Sequence, residues 1–467
     1  MPDVLFTDAT IVTVDPERRI LEGACLGVKG DRIVAIGGRA EVAAACSPGT
    51  EVIDCTGKAL FPGLINTHNH LFQTLLKGLG DDRVLSDWFA QMTAPSAVHL
   101  QPEDCYVAAL LGSIEGLHTG VTTQFDYMYP HPRAGLDDEV IRAFHDLGVR
   151  GVFGRGMMDC GAEFGVPEGI MQPLDVIAAD CRRLLETYHG SSDGRLSVWL
   201  APAAVWSCSR ELFLAVKALA AEYRTGISVH ISETPFDREA ARQMHGKPDI
   251  EVMEALGLLG PDFLMVHCVH LTPRDIRMAR HFDARVSHNP VSNMYLSSGV
   301  APIPAMLAAG VTVGVATDGA ASNNSNDMLE VLKATALLHK VSTCDPTIIT
   351  AEKVLELATI DGARALGLDG LTGSLEVGKQ ADLFVFNPLA SAKSVPMHHP
   401  VSTLVYSAGQ ASVELVMVDG RIVLKDGRVT ALDEESFLAR AQATAFALAR
   451  RAGTSALAKR PWRSLAY

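Results

Sequence analysis

The chain has 467 residues, of which 48% are hydrophobic and 20% are charged, and its formal net charge at pH 7 is −14. This composition is typical of a globular protein, and the negative charge disfavours nucleic acid as a partner. The hydrophobic residues are not gathered into one apolar stretch long enough to cross a bilayer, so the sequence predicts no membrane segment. The length favours one barrel-sized domain of about 250 residues together with a smaller domain.

The first residues and the cysteines favour a cytoplasmic protein. Residues 1–8 lack a basic region followed by an apolar segment, so no secretory signal is predicted. The nine cysteines are an odd number without a Cys-x-x-Cys pair. That pattern is typical of reduced thiols rather than of a disulfide framework.

The two terminal segments are predicted to form short strands. Residues 1–60 alternate between apolar and polar positions, with turn signals at 28–32 and 55–58, and residues 381–428 show the same pattern. Neither segment is long enough to bury a sandwich alone. We therefore predict one small β-sandwich domain built from residues 1–60 and 376–430, followed by a C-terminal helix and tail over 431–467.

Between these segments, strand-like runs alternate with helical stretches such as 103–117, 210–223 and 301–309, which is the pattern of repeated βα units. Eight runs read as strands: 60–66, 121–125, 150–155, 196–201, 227–229, 263–266, 284–288 and 311–316. Eight such units form a closed barrel. The predicted fold class is α/β, with a (β/α)8 TIM barrel over residues 61–375.

Residues that can bind a metal stand at the ends of four of these runs. They are His68 and His70 after the first run, His230 after the fifth, His267 after the sixth and Asp318 after the eighth. The carboxyl ends of barrel strands meet at one face, so these side chains converge despite their sequence separation. His68 and His70 are two positions apart and point to the same side of an extended strand. Imidazole and carboxylate ligands predict one divalent metal ion, zinc, with iron as the alternative.

Glu233 lies three residues after His230, close enough to share the site without ligating the metal. A carboxylate beside a water activated by the metal can take its proton and pass it to the substrate. Asp318 can both ligate and hold a hydrogen bond to that water, whereas His267 either ligates or stabilises a developing oxyanion. The spacing leaves both roles of His267 open. Residues 199–206 contain no lysine to bridge two ions, which favours a single metal.

Seven segments match motifs in the same order along a known family: Pro62 to His70, Gly120 to Thr123, His230 to Glu233, His267 to His270, Ser287 to Pro290, Thr317 to Asn323 and Gly373 to Asp382. Over nearly its whole length the chain resembles the amidohydrolase superfamily, and within it the deaminases of purines, pterins and triazines. The resemblance implies that four residues bind one zinc or iron ion, namely His68, His70, His230 and Asp318. It further implies that Glu233 moves protons and that His267 polarises the nucleophile or the substrate.

Two groups within the superfamily share further segments with the chain. Residues 76–78, 267–271 and 318–324 are similar to S-adenosylhomocysteine and methylthioadenosine deaminases, but Ala97 and Ala203 stand where those enzymes carry a ribose-binding glutamate and a substrate-contacting histidine. Residues 188–199, 358–364 and 461–465 are similar to atrazine chlorohydrolase and melamine deaminase, which carry a different loop in place of 319–322. Because an unpaired buried substrate hydroxyl is costly, we predict a small flat heterocycle without a ribose.

Seven further residues are predicted to contact the substrate because they lie near carboxyl strand ends or in the loops that follow: Gln73, Trp88, Phe125, Arg155, Trp206, Asn289 and Ser322. Aromatic rings among them can stack on a planar ring. Ordinary packing is the alternative for Trp88 and Trp206, and a structural salt bridge is the alternative for Arg155. For Asn289, which precedes Pro290, the alternative is a role in shaping a turn.

The predicted reaction is metal-dependent hydrolytic deamination of an amino-substituted aromatic nitrogen heterocycle, of purine, pterin or triazine type, with release of ammonia. The alternatives are a triazine chlorohydrolase or alkylaminohydrolase, an S-adenosylhomocysteine or methylthioadenosine deaminase, a cyclic amide hydrolase, and a catalytically inactive scaffold. The presence of every proposed ligand and of Glu233 argues against the scaffold. The predicted partners are a small-molecule substrate and further copies of the chain in a homo-oligomer.

Overall fold

The computed structural model describes residues 2–43 and 49–459. Its strands are β1 Val4–Val12, β2 Ile20–Lys29, β3 Arg32–Gly38, β4 Glu51–Asp54, β5 Ala59–Pro62, β6 Leu64–Asn66, β7 Val121–Met128, β8 Arg150–Met157, β9 Leu196–Pro202, β10 Ile227–Ile231, β11 Phe263–His267, β12 Arg285–His288, β13 Val313–Val315, β14 Leu383–Phe386, β15 Val413–Val418, β16 Arg421–Lys425 and β17 Arg428–Val429. Its α-helices are α1 Arg39–Ala43, α2 Leu85–Trp88, α3 Ala94–Ala97, α4 Pro102–Leu117, α5 Leu136–Leu147, α6 Leu174–Tyr188, α7 Arg210–Tyr223, α8 Pro235–His245, α9 Asp249–Ala255, α10 Pro273–Phe282, α11 Pro290–Tyr295, α12 Ile303–Ala308, α13 Met328–Thr343, α14 Ala351–Leu357, α15 Ile360–Ala365, α16 Pro400–Ser407 and α17 Glu434–Arg451.

Within the described residues, β6 to β13 form a sheet of eight strands that follow one another in sequence order and pair in parallel. The backbone nitrogen of Thr67, directly after β6, donates to the carbonyl of Val315 in β13 over 3.3 Å, so the first and last strands also meet. Strands such as β7 and β8 are buried at every position because helices cover their outer face. The predicted eight-stranded barrel is confirmed.

The remaining nine strands of the described chain form a second, mixed sheet from the two ends of the sequence. The two ends join where β5 pairs with β14 in antiparallel register, from Ala59 opposite Phe386 to Pro62 opposite Leu383. This sheet encloses its own small core, which includes Phe6, Leu26 and Met417. The prediction of one small β domain from both chain ends is confirmed, and its strands are hydrogen-bonded into one continuous sheet. The residue boundaries proposed for the two domains stay predictions.

The first apolar run, 60–66, is divided between the two sheets. Its sequence, which reads as one continuous strand, does not reveal this division. Strand β5 belongs to the flanking sheet and β6 to the barrel, with Gly63 alone between them. A Cβ atom at Gly63 would lie 2.0 Å from the Oγ1 atom of Thr122, so a larger residue does not fit at this crossing. The flanking domain is therefore tied to the strand that leads directly into His68 and His70.

The predicted helices are observed with small changes at their ends, for example 102–117 for 103–117 and 434–451 for 434–450. The last helix, α17, contacts α4 through an ion pair between Arg440 and Glu103 of 2.6 Å. Residues 460–467, which include the segment 461–465 used in the sequence comparison, lie outside the described residues. None of the described helices has the length and hydropathy needed to span a membrane.

A buried ion cluster joins the two domains at the amino ends of the barrel strands. Arg150, the first residue of β8, donates to both carboxylate oxygens of Asp382 over 2.8 and 3.1 Å. The guanidinium groups of Arg150 and Arg195 lie 3.6 and 3.5 Å from the carboxylate of Asp419. Asp382 also accepts a hydrogen bond from the backbone nitrogen of Asp419 at 2.7 Å. Each charge in this buried cluster is therefore paired with an opposite charge.

Candidate active site

Six of the predicted site residues meet at the carboxyl ends of the barrel strands. Two of the strands extend further than predicted, so that His230 is the next-to-last residue of β10 and His267 is the last residue of β11. Among the other residues, His68 and His70 follow β6 in the chain, Glu233 follows β10, and Asp318 follows β13. All are buried except His230, which is partly exposed.

The potential ligand atoms are close enough to share one ion. The Nε2 atoms of His70 and His230 lie 3.3 Å apart. Oδ1 of Asp318 lies 3.3 Å from Nε2 of His68 and 3.5 Å from Nε2 of His70. The ligand atoms of His68, His70 and Asp318 are all within 4.8 Å of one another, as are those of His68, His230 and His267.

The hydrogen bonds of the imidazoles leave their nitrogen lone pairs facing this centre. His70 Nδ1 donates to the carbonyl of Tyr127, and His230 Nδ1 donates to the carbonyl of Ala203, each over 2.5 Å. Because a carbonyl only accepts, each neutral ring has its proton on Nδ1 and a lone pair on Nε2. The two lone pairs oppose each other at 3.3 Å, and both ring nitrogens of His68 lack a hydrogen-bond partner among the described residues. These donors fit a divalent metal ion.

Burial keeps the candidate ligands in the protonation states that bind metals. Burial lowers the pKa of His68 to about 4 and that of His70 to about 3. Burial alone would raise the pKa of Asp318, but the imidazole of His68, 3.3 Å away, and the other surrounding imidazoles hold it well below the ordinary value. Neutral imidazoles and an ionised carboxylate are the forms required for coordination.

Glu233 and His267 form a second layer beside these residues. Oε2 of Glu233 lies 3.6 Å from Nε2 of His267, and Oε1 accepts a hydrogen bond of 3.0 Å from the hydroxyl of Ser298. Burial raises the pKa of Glu233 to about 7, so this carboxyl can exchange a proton near neutral pH. Burial would lower the pKa of His267, but the carboxylates of Glu233 and Asp318 raise it above its ordinary value.

The turn that carries Glu233 is held in a left-handed backbone conformation. Ser232 has a φ of 49°, and its backbone nitrogen donates to Oδ2 of Asp249 over 2.5 Å. The hydroxyl of Ser232 lies 2.8 Å from both oxygens of the same carboxylate. A non-glycine residue in this region persists only where the surroundings determine it. Asp249 therefore fixes the backbone between His230 and Glu233.

Three of the predicted substrate-contacting residues lie against the cluster or against Gly319, the residue after Asp318. Gln73 abuts the loop after β13, since a Cβ atom at Gly319 would lie 2.0 Å from its Oε1 atom. Nδ2 of Asn289 is 3.3 Å from Nδ1 of His267. Ser322 donates to the carbonyl of Gly319 over 2.9 Å and so shapes the loop after Asp318. Their contact with a substrate stays a prediction.

The other four predicted contacts have different surroundings. Trp88 donates to the carbonyl of Ala321 over 2.8 Å, and Phe125 packs on Trp199 with ring centres 5.6 Å apart. The buried guanidinium of Arg155 is bound to Asp180 at 2.9 Å and also to Gln172. This ion pair favours the structural alternative for Arg155, because its donors are already engaged.

Trp206 is the fourth of these residues. Its indole nitrogen donates to Oδ1 of Asp237 over 2.8 Å, and its ring touches those of Phe164 and Phe236. The side chain of Trp206 therefore packs on its neighbours and still leaves part of its ring exposed.

Sequence reasoning missed several residues that position the site. Asn293, whose Oδ1 accepts from Nδ1 of His267 over 2.9 Å, stands four residues after Asn289, and that helical spacing is a signal that could have found it. Asp249 and Ser298 carry no comparable signal. Both lie in separate segments that only the fold brings to Ser232 and Glu233.

Comparisons with known proteins agree with this geometry. Residues 59–423 match the model of the amidohydrolase family. A 5'-deoxyadenosine deaminase of Methanothermobacter thermautotrophicus is 40% identical over 408 residues, covering 87% of this chain and 92% of the relative. A 5-methylthioadenosine/S-adenosylhomocysteine deaminase of Desulforudis audaxviator is 39% identical over 402 residues, covering 85% of this chain and 90% of the relative.

Solved structures share the whole architecture. An adenosine deaminase from Xanthomonas campestris with bound zinc superposes with a TM-score of 0.89 at 29% identity, covering 96% of this chain and 99% of that one. Atrazine chlorohydrolase from Arthrobacter aurescens, complexed with zinc, gives a TM-score of 0.88 at 27% identity, with coverages of 95% and 100%. The predicted enzyme class, a hydrolase acting on carbon–nitrogen bonds in cyclic amidines, is confirmed. The chain belongs to the amidohydrolase family.

Proposed function

We propose that this chain deaminates the adenine ring of a nucleoside modified at its 5′ position, replacing the exocyclic amino group by oxygen and releasing ammonia. The observation that carries the chemistry is the opposed pair of imidazole lone pairs beside a buried glutamate. The substrate is supported by the names of the relatives that are 39% and 40% identical to it.

His68, His70, His230 and Asp318 would hold a divalent metal ion, zinc in first place with iron as the alternative. The ligand atoms of His68, His70 and Asp318 lie within 4.8 Å of one another, and Nε2 of His230 faces Nε2 of His70 at 3.3 Å. When bound, such an ion lowers the pKa of a water molecule and so supplies the nucleophile at neutral pH. The carbonyls of Tyr127 and Ala203 orient two of the imidazoles.

Glu233 is assigned the proton transfers. It takes a proton from the attacking water and delivers it to the ring nitrogen beside the amino-bearing carbon, while the new carbon–oxygen bond forms. The remaining proton on that oxygen then passes through Glu233 to the amino group, the carbon–nitrogen bond breaks, and ammonia leaves a ring that carries a carbonyl. A carboxyl whose pKa is about 7 can both accept and release a proton at neutral pH.

His267 is assigned the stabilisation of negative charge on the attacking oxygen. Its Nδ1 donates to Asn293, and its Nε2 lies 3.6 Å from Glu233 and 3.8 Å from Asp318. A raised pKa favours a ring that is protonated on both nitrogens, and such a ring donates to a developing oxyanion.

A triazine hydrolase is the second candidate function. Ala203 and Ala97 are buried and offer no side-chain hydrogen bond to a ribose hydroxyl, which favours a ring without a sugar. The superposition with atrazine chlorohydrolase is compatible with this alternative.

A substrate panel separates the candidates. The zinc-loaded enzyme is assayed with 5'-deoxyadenosine, methylthioadenosine, S-adenosylhomocysteine, adenine, melamine and atrazine, and both ammonia release and product mass are measured. We expect ammonia from the nucleosides and loss of turnover after chelation, with recovery when zinc is restored. Chloride release from atrazine without nucleoside deamination would support the triazine alternative, and addition of water without ammonia would indicate ring opening.

The predicted homo-oligomer and cytoplasmic location remain part of this proposal. Gel filtration with light scattering tests the first prediction directly.

A further inference from the structure

Three aromatic side chains form a cluster on the face of the barrel that carries the catalytic residues. Trp206 and Phe236 have ring centres 5.4 Å apart, and Phe164 lies 5.8 Å from each of them. Phe236 is 46% exposed, and the other two rings are half-buried. We call Phe164, Trp206 and Phe236 the aromatic rim.

The aromatic rim is connected to the candidate site by short stretches of backbone. Phe236 follows Glu233 by three residues. Trp206 follows Ala203 by three residues, and the carbonyl of Ala203 is the acceptor for Nδ1 of His230. Phe164 lies in the segment after β8, which packs on the Trp206 turn, because the backbone nitrogen of Cys160 donates to the carbonyl of Ser207. The three rings therefore lie together in the segments that follow β8, β9 and β10, at the end of the barrel that carries the site.

The polar atom of the rim is already satisfied. The indole nitrogen of Trp206 donates to Oδ1 of Asp237, whose Oδ2 accepts from the backbone nitrogen and hydroxyl of Thr234 over 2.7 and 2.9 Å. These bonds fix the orientation of the indole. The rim consequently offers carbon surface, which suits an apolar or flat group rather than a hydrogen-bonding one.

The three segments that carry the rim disfavour an anionic group, because most of their charged residues are acidic. The segments 158–173, 203–209 and 232–238 contain five acidic residues and a single basic one, Arg238. Arg238 is already bound to Asp275 at 2.8 Å. Arg155, near the carboxyl end of β8, is likewise already bound to Asp180. A carboxylate placed against the rim would lose water without gaining a cation among the residues of these segments.

We propose that the aromatic rim binds the 5′ substituent of the substrate and selects uncharged substituents over charged ones. This inference rests on the proposed nucleoside deaminase function. Methylthioadenosine, with a neutral thioether, is then a better substrate than S-adenosylhomocysteine, whose amino-acid chain carries a carboxylate. The sulfur and methyl group of methylthioadenosine pack on aromatic carbon, whereas the amino-acid chain must keep its charges hydrated.

The test uses Phe236→Ala, because an exposed side chain can be removed without opening the core. The matched control is Phe446→Ala on α17, a phenylalanine that is 59% exposed. Values of kcat/KM are measured for methylthioadenosine, S-adenosylhomocysteine and adenosine with the zinc-loaded full-length enzyme. We expect at least a tenfold preference of the unmodified enzyme for methylthioadenosine over S-adenosylhomocysteine.

In Phe236→Ala the preference should shrink about fivefold, through a higher KM for methylthioadenosine, while Phe446→Ala leaves it unchanged. A second variant, Phe236→Arg, should raise kcat/KM for S-adenosylhomocysteine, since it supplies the missing cation. If the unmodified enzyme deaminates both nucleosides equally well, or if Phe236→Ala keeps the full preference, the rim does not select the substituent and only this inference fails. If no nucleoside is deaminated, the proposed function itself fails, and this inference fails with it.

Discussion

The two ends of the barrel hold buried polar clusters of opposite character. At the amino end, Arg150 is matched by Asp382 and Asp419, so that cations and anions compensate one another. At the carboxyl end, His70 and His230 point lone pairs at each other across 3.3 Å, and both nitrogens of His68 have no hydrogen-bond partner in the part of the chain that is described. The charges of the first cluster are balanced by opposite charges within the protein, although some of its polar atoms, such as Nη1 of Arg150 and Nε of Arg195, make no hydrogen bond among the described residues. The second cluster gathers lone pairs and a carboxylate around a centre where a cation would balance them.

This difference separates a structural from a functional polar cluster in one fold. Buried charges that are paired within the protein hold two domains in one arrangement, and removing a partner is costly. Buried imidazole nitrogens and carboxylate oxygens that converge without a hydrogen-bond partner destabilise the folded protein, unless a ligand such as a metal ion binds them.

The largest expected effect is at the carboxyl end. Glu233→Gln keeps the shape of the side chain but cannot carry the proton, so kcat should fall by about 10²- to 10⁴-fold. Metal content and thermal stability should remain those of the unmodified protein, as measured by metal analysis and calorimetry. Glu239→Gln changes an exposed glutamate on α8, the helix that follows Glu233, and this control should keep full activity. Normal turnover by Glu233→Gln would refute its assigned role.

The next effect is at the amino end and concerns stability. Arg150→Met leaves Asp382 and Asp419 without this cation and should lower the free energy of unfolding by about 3–5 kcal/mol. The folded fraction should still bind metal and retain its kcat, because the cluster lies at the opposite end of the barrel. Arg182→Met, which breaks an exposed ion pair to Glu222, should cost at most about 1 kcal/mol. Equal denaturation curves for the two variants would contradict the structural assignment of Arg150.

A smaller effect is expected at Asp249, which holds the turn between His230 and Glu233 at the carboxyl end. Asp249→Asn weakens the clamp on Ser232 and lets Glu233 move, so kcat should fall about 10- to 100-fold while KM and metal content stay nearly constant. Ser232→Ala keeps the backbone hydrogen bond and should lose less activity. A loss of metal, or a change confined to KM, would show that Asp249 does not act through the position of Glu233.

The smallest effect is a pH dependence of stability at Asp126, a buried carboxyl that accepts from the backbone nitrogen of Leu71 over 2.7 Å. Burial raises its pKa from 3.8 to about 7. Between pH 3.8 and pH 7 the carboxyl of Asp126 therefore keeps its proton in the folded protein but has released it in the unfolded chain. The contribution of Asp126 to the free energy of unfolding consequently falls as the pH rises through this range toward 7. The free energy of unfolding of Asp126→Asn, relative to that of the unmodified protein, should consequently rise by about 2–3 kcal/mol between pH 5 and pH 8. If the free energies of unfolding of Asp126→Asn and of the unmodified protein change with pH in the same way, the pKa of Asp126 is not raised.

Much of the carboxyl end is predictable from the sequence, and little of the amino end is. His68, His70, His230, His267 and Asp318 each stand at the end of an apolar run, and the barrel rule places such residues together. Arg150 and Asp382 lie 232 residues apart, and no periodicity links the first residue of a barrel strand to the flanking sheet. The contact of Asp249 with Ser232 is equally hidden from the sequence. The ion pair of Arg155 with Asp180 is hidden too, because it depends on the packing of α6 on β8.

The sequence by itself determined the alternation of strands and helices, the family, and the residue types at the strand ends. These features are local, because hydrophobic period and motif spacing are set by neighbours along the chain. Only the tertiary structure decided which lone pairs face one another, which buried charges are already paired, and which aromatic rings remain exposed beside Glu233. Such properties arise between segments distant in sequence, since hydrogen-bond geometry and burial are fixed only when the barrel closes and the two chain ends meet.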